Sequence, residues 1–219
     1  MNKKRIVFLI DGFNLYHSIV TCLKENRLSN KYKWLNYKKL CQSFLKNQTE
    51  EIGEVVLYTA YAHWRSKEAV YRHKKFIQAL RYYGVKIVFG NFKEKDRRCP
   101  ICKEYIKQHE EKETDVNIAL DIIDYTLNKD FDGIYIISGD SDLKPAIERA
   151  KKYINTSNNL LSKTIKIIFP YKQHTNALKK IVGKENAMGI KKHHIETSLM
   201  DEEICIENEK IIKRPEEWQ

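Results

Sequence analysis

The sequence predicts an α/β chain, a three-layer sandwich whose mostly parallel sheet is covered by helices on both faces. Two observations carry this. Short runs rich in β-branched residues alternate with longer amphipathic stretches along the chain. The short runs are also nearly continuous in apolar residues, as burial on both faces of a parallel sheet requires.

The elements follow in order. Arg5–Ile10 reads as a first strand and Leu15–Leu23 as a helix. Tyr37–Leu45 is a second helical stretch, with Leu40, Phe44 and Leu45 on one face. Glu54–Tyr61 is a strand. Glu68–Tyr82 is a helix with Val70, Phe76, Ile77 and Leu80 as its apolar stripe, and Gly84 ends it. Val85–Phe89 is the next strand. Thr114–Leu127 reads as a helix, Gly133–Ile137 as a strand and Asp142–Lys152 as a helix. Thr164–Phe169 is a strand, and a short helix follows over Asn176–Ile181. Two segments interrupt this rhythm: a basic insertion over 91–108 and a polar loop over Tyr153–Lys163. The expected division is a main domain over 1–196 and a C-terminal helical tail over 197–219.

The chain has 219 residues, 42% of them hydrophobic, with only eight glycines and four prolines, which excludes a fibrous or low-complexity chain. Its formal net charge of +11 points to a polyanionic partner, nucleic acid or an acidic membrane surface. No apolar run is long enough for a membrane span. The apolar patch Ile6–Ile10 ends on Asp11 without a small-residue cleavage site, so it reads as a strand and not as a signal peptide. Five cysteines are an odd set that fits reduced thiols and a cytoplasmic setting better than a disulfide framework.

The chemistry is concentrated where strands end. In an open parallel sheet, ligands bind beyond the carboxyl ends of the strands. Asp11 follows the first strand. Ser138, Gly139, Asp140, Ser141 and Asp142 follow Gly133–Ile137, and one helix cap accounts for only one of these polar residues. Asp115, in the first turn of Thr114–Leu127, lies at the same edge. Four acids gathered in a basic protein call for a cation, and hard oxygen donors select Mg²⁺ or Mn²⁺. Such sites suit phosphodiester hydrolysis. No GxxxxGK[ST], GxGxxG or GxSxG motif is present. Asp11 also lacks the second Asp, two residues on, of an aspartyl phosphatase, and the paired acids of a phospho-receiver domain.

The stretches "FLIDGFNLYHSI", "EKETDVNIALDII" and "IISGDSDLKPAIERAK" resemble, in order, the three motifs of the NYN domain, a member of the PIN-like nuclease group. The resemblance covers roughly residues 5–195. It implies a Rossmann-like, PIN-like α/β/α sandwich and a metal-dependent endoribonuclease, with RNA cleaved by a metal-activated water. By position, it casts Asp11, Asp115, Asp140 and Asp142 as metal-binding acids and Asn14 as their polar partner on the first helix. Ser138 and Ser141 are cast as groups that orient ligands or water. Many relatives carry a glycine near the position of Glu113, so Glu113 is either a fifth acid or a helix-start residue. A non-catalytic RNA-binding or regulatory module, and a small-molecule phosphoesterase, are the alternatives. Self-association is common in the group, which leaves a homo-oligomer open.

Other residues extend the expected site. Arg65, Lys67, Arg72, Lys74 and Lys75 crowd one helix and its approach. Lys93, Lys95, Arg97 and Arg98 crowd the insertion. Both groups follow strands, and they are candidates for phosphate contacts. Tyr58, Tyr61 and Trp64 are core aromatics or platforms for unpaired bases. Asp121 and Asp124 lie beyond the first turn of their helix and read as surface residues. Cys99 and Cys102 form one CxxC, which is half a zinc site. His109, His174, His193 and His194 are candidates to complete a structural Zn²⁺ site, and two reduced cysteines are the alternative.

Overall fold

The computed structural model describes residues 3–98, 101–128, 130–157, 162–206 and 211–219. Its first half runs β1 (Lys4–Asp11), α1 (Gly12–Glu25), α2 (Tyr37–Gln42), β2 (Glu50–Thr59), α3 (Lys67–Tyr82) and β3 (Lys86–Phe89). Next come β4 (Asn91–Arg98), β5 (Tyr105–Lys112), α4 (Thr114–Leu127) and β6 (Gly133–Ile137). A 3₁₀ turn over Ser141–Leu143 leads into α5 (Lys144–Thr156), then β7 (Thr164–Phe169), α6 (Asn176–Val182), β8 (Ala187–Gly189) and α7 (Lys192–Thr197). The chain ends with β9 (Glu203–Cys205) and β10 (Ile211–Lys213).

Six strands form one sheet in the order β3-β2-β1-β6-β7-β8, and every pairing in it is parallel. The layers follow from alternation along β1. Ile6, Phe8 and Ile10 are buried on one face with Leu15 and Ile19 of α1, Leu40 of α2 and Phe76 and Leu80 of α3. Val7 and Leu9 are buried on the other face with Ile118 and Ile122 of α4, Ile147 of α5 and Leu178 of α6. Each such side chain removed from water contributes about 1.5–3 kcal/mol. The strand order reverses between β1 and β6, so a crevice opens beyond their carboxyl ends.

The loop expected over Tyr153–Lys163 begins later, because α5 continues to Thr156, and residues 158–161 of that stretch lie outside the described residues. The basic insertion is an antiparallel hairpin of β4 and β5. Opposite charges face each other across it: Lys107 Nζ lies 2.6 Å from Glu94, and Lys95 Nζ 2.8 Å from Glu110. Its sequence lacks a strand's apolar alternation, and cross-strand charge pairing takes its place. No helix among the described residues is long and apolar enough to cross a membrane.

The expected C-terminal helical tail over 197–219 is corrected. The segment forms the β9–β10 hairpin and a 3₁₀ turn over Glu216–Trp218, and it completes the core of the α1–α3 face. Met200, Ile204, Ile212 and Trp218 are all buried there. Trp218 packs on Trp34 and Phe76 with ring centroids 6.2 and 5.8 Å away, and Trp34 Nε1 donates to Asp201 O at 2.8 Å. The apolar residues follow neither helical nor strand spacing, because each one fills a gap left by α1–α3. Trp218→Ala is therefore expected to destabilise the whole domain by about 3 kcal/mol, read as a lower urea midpoint with an unchanged slope.

Candidate active site

Asp11 is the last residue of β1 and the N-cap of α1. Its side chain is buried, and both oxygens are held. Oδ1 accepts from the Asn14 N–H at 3.0 Å, and Oδ2 accepts from the Ser138 hydroxyl at 2.9 Å. Gly12 is needed beside it, because a Cβ there would stand 2.5 Å from Tyr58 O. Ser138 is fully buried and also accepts from the Asp140 N–H at 3.0 Å. Asn14 Oδ1 accepts from the Gly139 N–H at 2.8 Å, and the Thr175 hydroxyl donates to Gly139 O. The loop after β6 is thus fastened to α1, to the end of β1 and to the residue before α6. Asp140 Oδ1 accepts from the Asp142 N–H at 2.9 Å and caps the 3₁₀ turn.

The four acids named from the sequence are electrostatic neighbours. Burial pushes the Asp11 carboxyl up to about 6, and the nearby charges of Asp115 and Asp140 add to the shift against the two hydrogen bonds. Asp115 is also raised, first by partial desolvation and then by Asp140 and Asp142. Asn14 and Ser138 hold this arrangement in place. Ser141 is different: its residue is exposed, and no side-chain hydrogen bond ties it to the acids among the described residues.

The hairpin adds a further acid, the first residue of the stretch EKETDVNIALDII, that its spacing in the sequence does not single out. Glu111 Oε1 accepts from the Thr114 N–H at 3.2 Å and so caps α4. Burial raises its carboxyl, and Asp115 and Glu113 raise it further. Strand alternation places Glu111 on the face of Phe92, its partner across the hairpin. Once β5 is taken as a strand, that alternation is a signal for it. Glu113 has φ of 78°, the left-handed region that favours glycine. Its carboxylate accepts from Asn91 Nδ2 at 2.8 Å and makes no cap of its own helix.

The remaining candidates are distributed unevenly. Arg72 is withdrawn from the phosphate-contact set, because its guanidinium pairs with Glu217 at 2.6 Å and fastens the C-terminus to α3. Lys67 and Lys75 line the adjoining groove of about 700 Å³, where Glu68, Glu202, Glu203, Glu216 and Glu217 balance their charge. Lys74 lies 5.9 Å from the Tyr61 ring centroid, and Arg65 is exposed. Arg97 and Arg98 donate within the hairpin, to Gln108 Oε1 and Lys103 O. Tyr58 is core: it is fully buried, and its hydroxyl donates to Asp121 at 2.5 Å. Tyr61 is half-buried against Phe89.

Cys99 lies outside the described residues, and Cys102 is an exposed thiol in the hairpin turn. The expected grouping of His109 with this pair is corrected. His109 sits in β5 opposite Glu94, about 13 Å along the strand from its start at Tyr105. Its ring stacks on Trp64, with centroids 4.1 Å apart. His174 packs on Phe169, while His193 and His194 lie against each other in α7, with His194 also on Phe44. No three His, Cys, Asp or Glu side chains among the described residues form a ready-made ligand set.

The burial of Asp11 has a measurable consequence. In the unfolded chain its carboxyl titrates near 3.8, and in the folded protein near 6. The folded state therefore binds the proton more tightly, and stability falls as pH rises through that window. Asp11→Asn is expected to be roughly 3 kcal/mol more stable than wild type at pH 7. That advantage should disappear below about pH 4, as read by urea unfolding without divalent cations.

A family model described as the NYN domain matches residues 5–166, a range that includes all four acids and the hairpin. No curated protein matches the chain. Among solved structures, a protein of unknown function from Vibrio parahaemolyticus RIMD 2210633 is similar in fold, at 21% identity and a TM-score of 0.54. That similarity covers 87% of this chain and 94% of the Vibrio chain. With the family model covering most of its length, the chain belongs to the NYN domain family.

Proposed function

We propose that the protein is a metal-dependent endoribonuclease that hydrolyses RNA phosphodiester bonds at the edge formed by Asp11, Asp115, Asp140 and Asp142. The observation that supports this most is the gathering of the acids at one edge, where burial pushes Asp11 up to about 6 and the charges of Asp115 and Asp140 add to the shift. A cation between such groups relieves the repulsion and the burial cost together. The donor set fits a hard ion: the oxygens are carboxylates, and no thiol or imidazole stands among them.

When bound, the ion supplies charge neutralisation at the phosphate and activates a water. The chain supplies position. Ser138 orients the Asp11 carboxylate through Oδ2, and Asn14 fixes the loop that carries Asp140. Asp140 stays on its 3₁₀ turn by accepting from Asp142 N–H. RNA is the proposed polyanion, drawn by the net charge of +11.

The test is cleavage of labelled RNAs and single-stranded DNAs with Mn²⁺, Mg²⁺ or EDTA, beside Asp140→Asn. That variant keeps an acceptor for the Asp142 N–H, so the turn is preserved. Cleavage is expected only with metal and is expected to fall roughly a hundredfold or more in the variant. Mn²⁺ should also raise the melting temperature of the wild type more than that of the variant. RNA binding without cleavage in either protein would replace the enzyme by a binding module.

A further inference from the structure

Two rings of the hairpin, Phe92 and His109, join Phe13 and Trp64 in a row of four. Phe13, in the first turn of α1 and two residues after Asp11, meets Phe92 of β4 edge-on at 5.5 Å between centroids. Phe92 meets Trp64 at 4.2 Å and 75°. Trp64 and His109 are parallel, 4.1 Å apart with 9° between their planes. Although His109 covers one face of its indole, Trp64 remains 40% exposed. The two other tryptophans, Trp34 and Trp218, are buried.

From this geometry we infer that Trp64 is the stacking platform for an unpaired base of a single-stranded nucleic acid whose backbone crosses the acid edge. The inference rests on the nuclease reading for the identity of the edge, and the stacking itself stands apart from catalysis. Three observations favour this occupant. The Trp64–His109 pair already has the plane-to-plane arrangement that an incoming base would extend. A cation adjoins the pair: Arg65 follows Trp64 and is exposed. The ring series also runs back through Phe92 to Phe13, so the stacked nucleotide adjoins the position of the acids. A duplex cannot use this surface, because its base faces are stacked inside the helix.

The experiment measures binding of fluorescein-labelled strands of about 12 nucleotides to the full chain in EDTA, which separates binding from any cleavage. The strands are single-stranded RNA, single-stranded DNA of the same sequence, and duplex RNA. Wild type is expected to bind single strands more tightly than the duplex, with quenching of Trp64 fluorescence. Trp64→Ala is expected to weaken single-strand binding about ten- to a hundredfold, the range for losing one stacked base. Trp64→Phe should retain most of the affinity. Trp64→Leu, which fills the space against Phe92 without a π face, should behave like Trp64→Ala while its circular dichroism and urea midpoint match wild type. Comparable loss on RNA and DNA would make the platform blind to the sugar; loss on RNA alone would tie it to ribose.

Equal affinity of Trp64→Leu and wild type would overturn the platform, and so would duplex binding as tight as single-strand binding. The two readings separate cleanly. Metal-dependent cleavage with a KM unchanged by Trp64→Leu would sink the platform alone. Aromatic-dependent binding without any metal-dependent cleavage would sink the nuclease and leave the platform.

Discussion

A buried carboxylate at the end of the first strand organises this molecule. Asp11 ends β1 where the strand order reverses, so its neighbours come from both halves of the sheet. Desolvation makes its charge expensive, and the hydrogen bonds from Asn14 N–H and Ser138 Oγ offset only part of that cost. The same two bonds set the entry of α1 and the path of the chain leaving β6. Ser138 then accepts from Asp140 N–H, and Asn14 accepts from Gly139 N–H. The loop that presents Asp140 is therefore a consequence of satisfying Asp11. A cation would act on a framework already held together by the protein's own polar groups.

The hairpin occupies one side of that edge. Its ion pairs are exposed, and pairs of this kind contribute at most about 1 kcal/mol each. Its placement depends more on Phe92, wedged between Phe13 and Trp64, and on Glu111, which caps α4 from the end of β5. Glu111 thereby joins the acids by way of a structural hydrogen bond. Glu113 occupies a backbone conformation suited to glycine, and its bond from Asn91 fastens the two ends of the hairpin to each other. One short segment thus sets the start of α4, adds a carboxylate and carries two of the four rings in the row.

The basic residues divide by what they face. Arg72 serves the fold through Glu217, and the groove beside it is charge-balanced. Arg65, next to Trp64, is exposed. A net charge of +11 therefore says less about where a polyanion lies than the positions of a few side chains do. Exposed lysines elsewhere act through the long-range field, which salt screens.

Local chemistry was enough to reveal the parallel sheet. Continuous apolar runs such as Ile134–Ile137, each followed by a 3.6-period stretch, admit few other folds. The bounds of Thr114–Leu127, Gly133–Ile137 and Thr164–Phe169 were legible for the same reason. The acid edge was legible because a parallel sheet sends every strand's carboxyl end to one side, so Asp11, Asp140 and Asp142 share it wherever the loops run. Three features needed the tertiary structure. The β4–β5 hairpin has charged strands whose pairing partners lie across a turn, so no window of its sequence carries an apolar period. The C-terminal segment has buried residues whose spacing follows the gaps between α1, α2 and α3 and no period of its own. The roles of Arg72, Tyr58 and Trp64 depend on what stands opposite each: Glu217, Asp121 and His109. Side chains of one chemical type can serve the core, an ion pair or a ligand, and only their partners in space decide which.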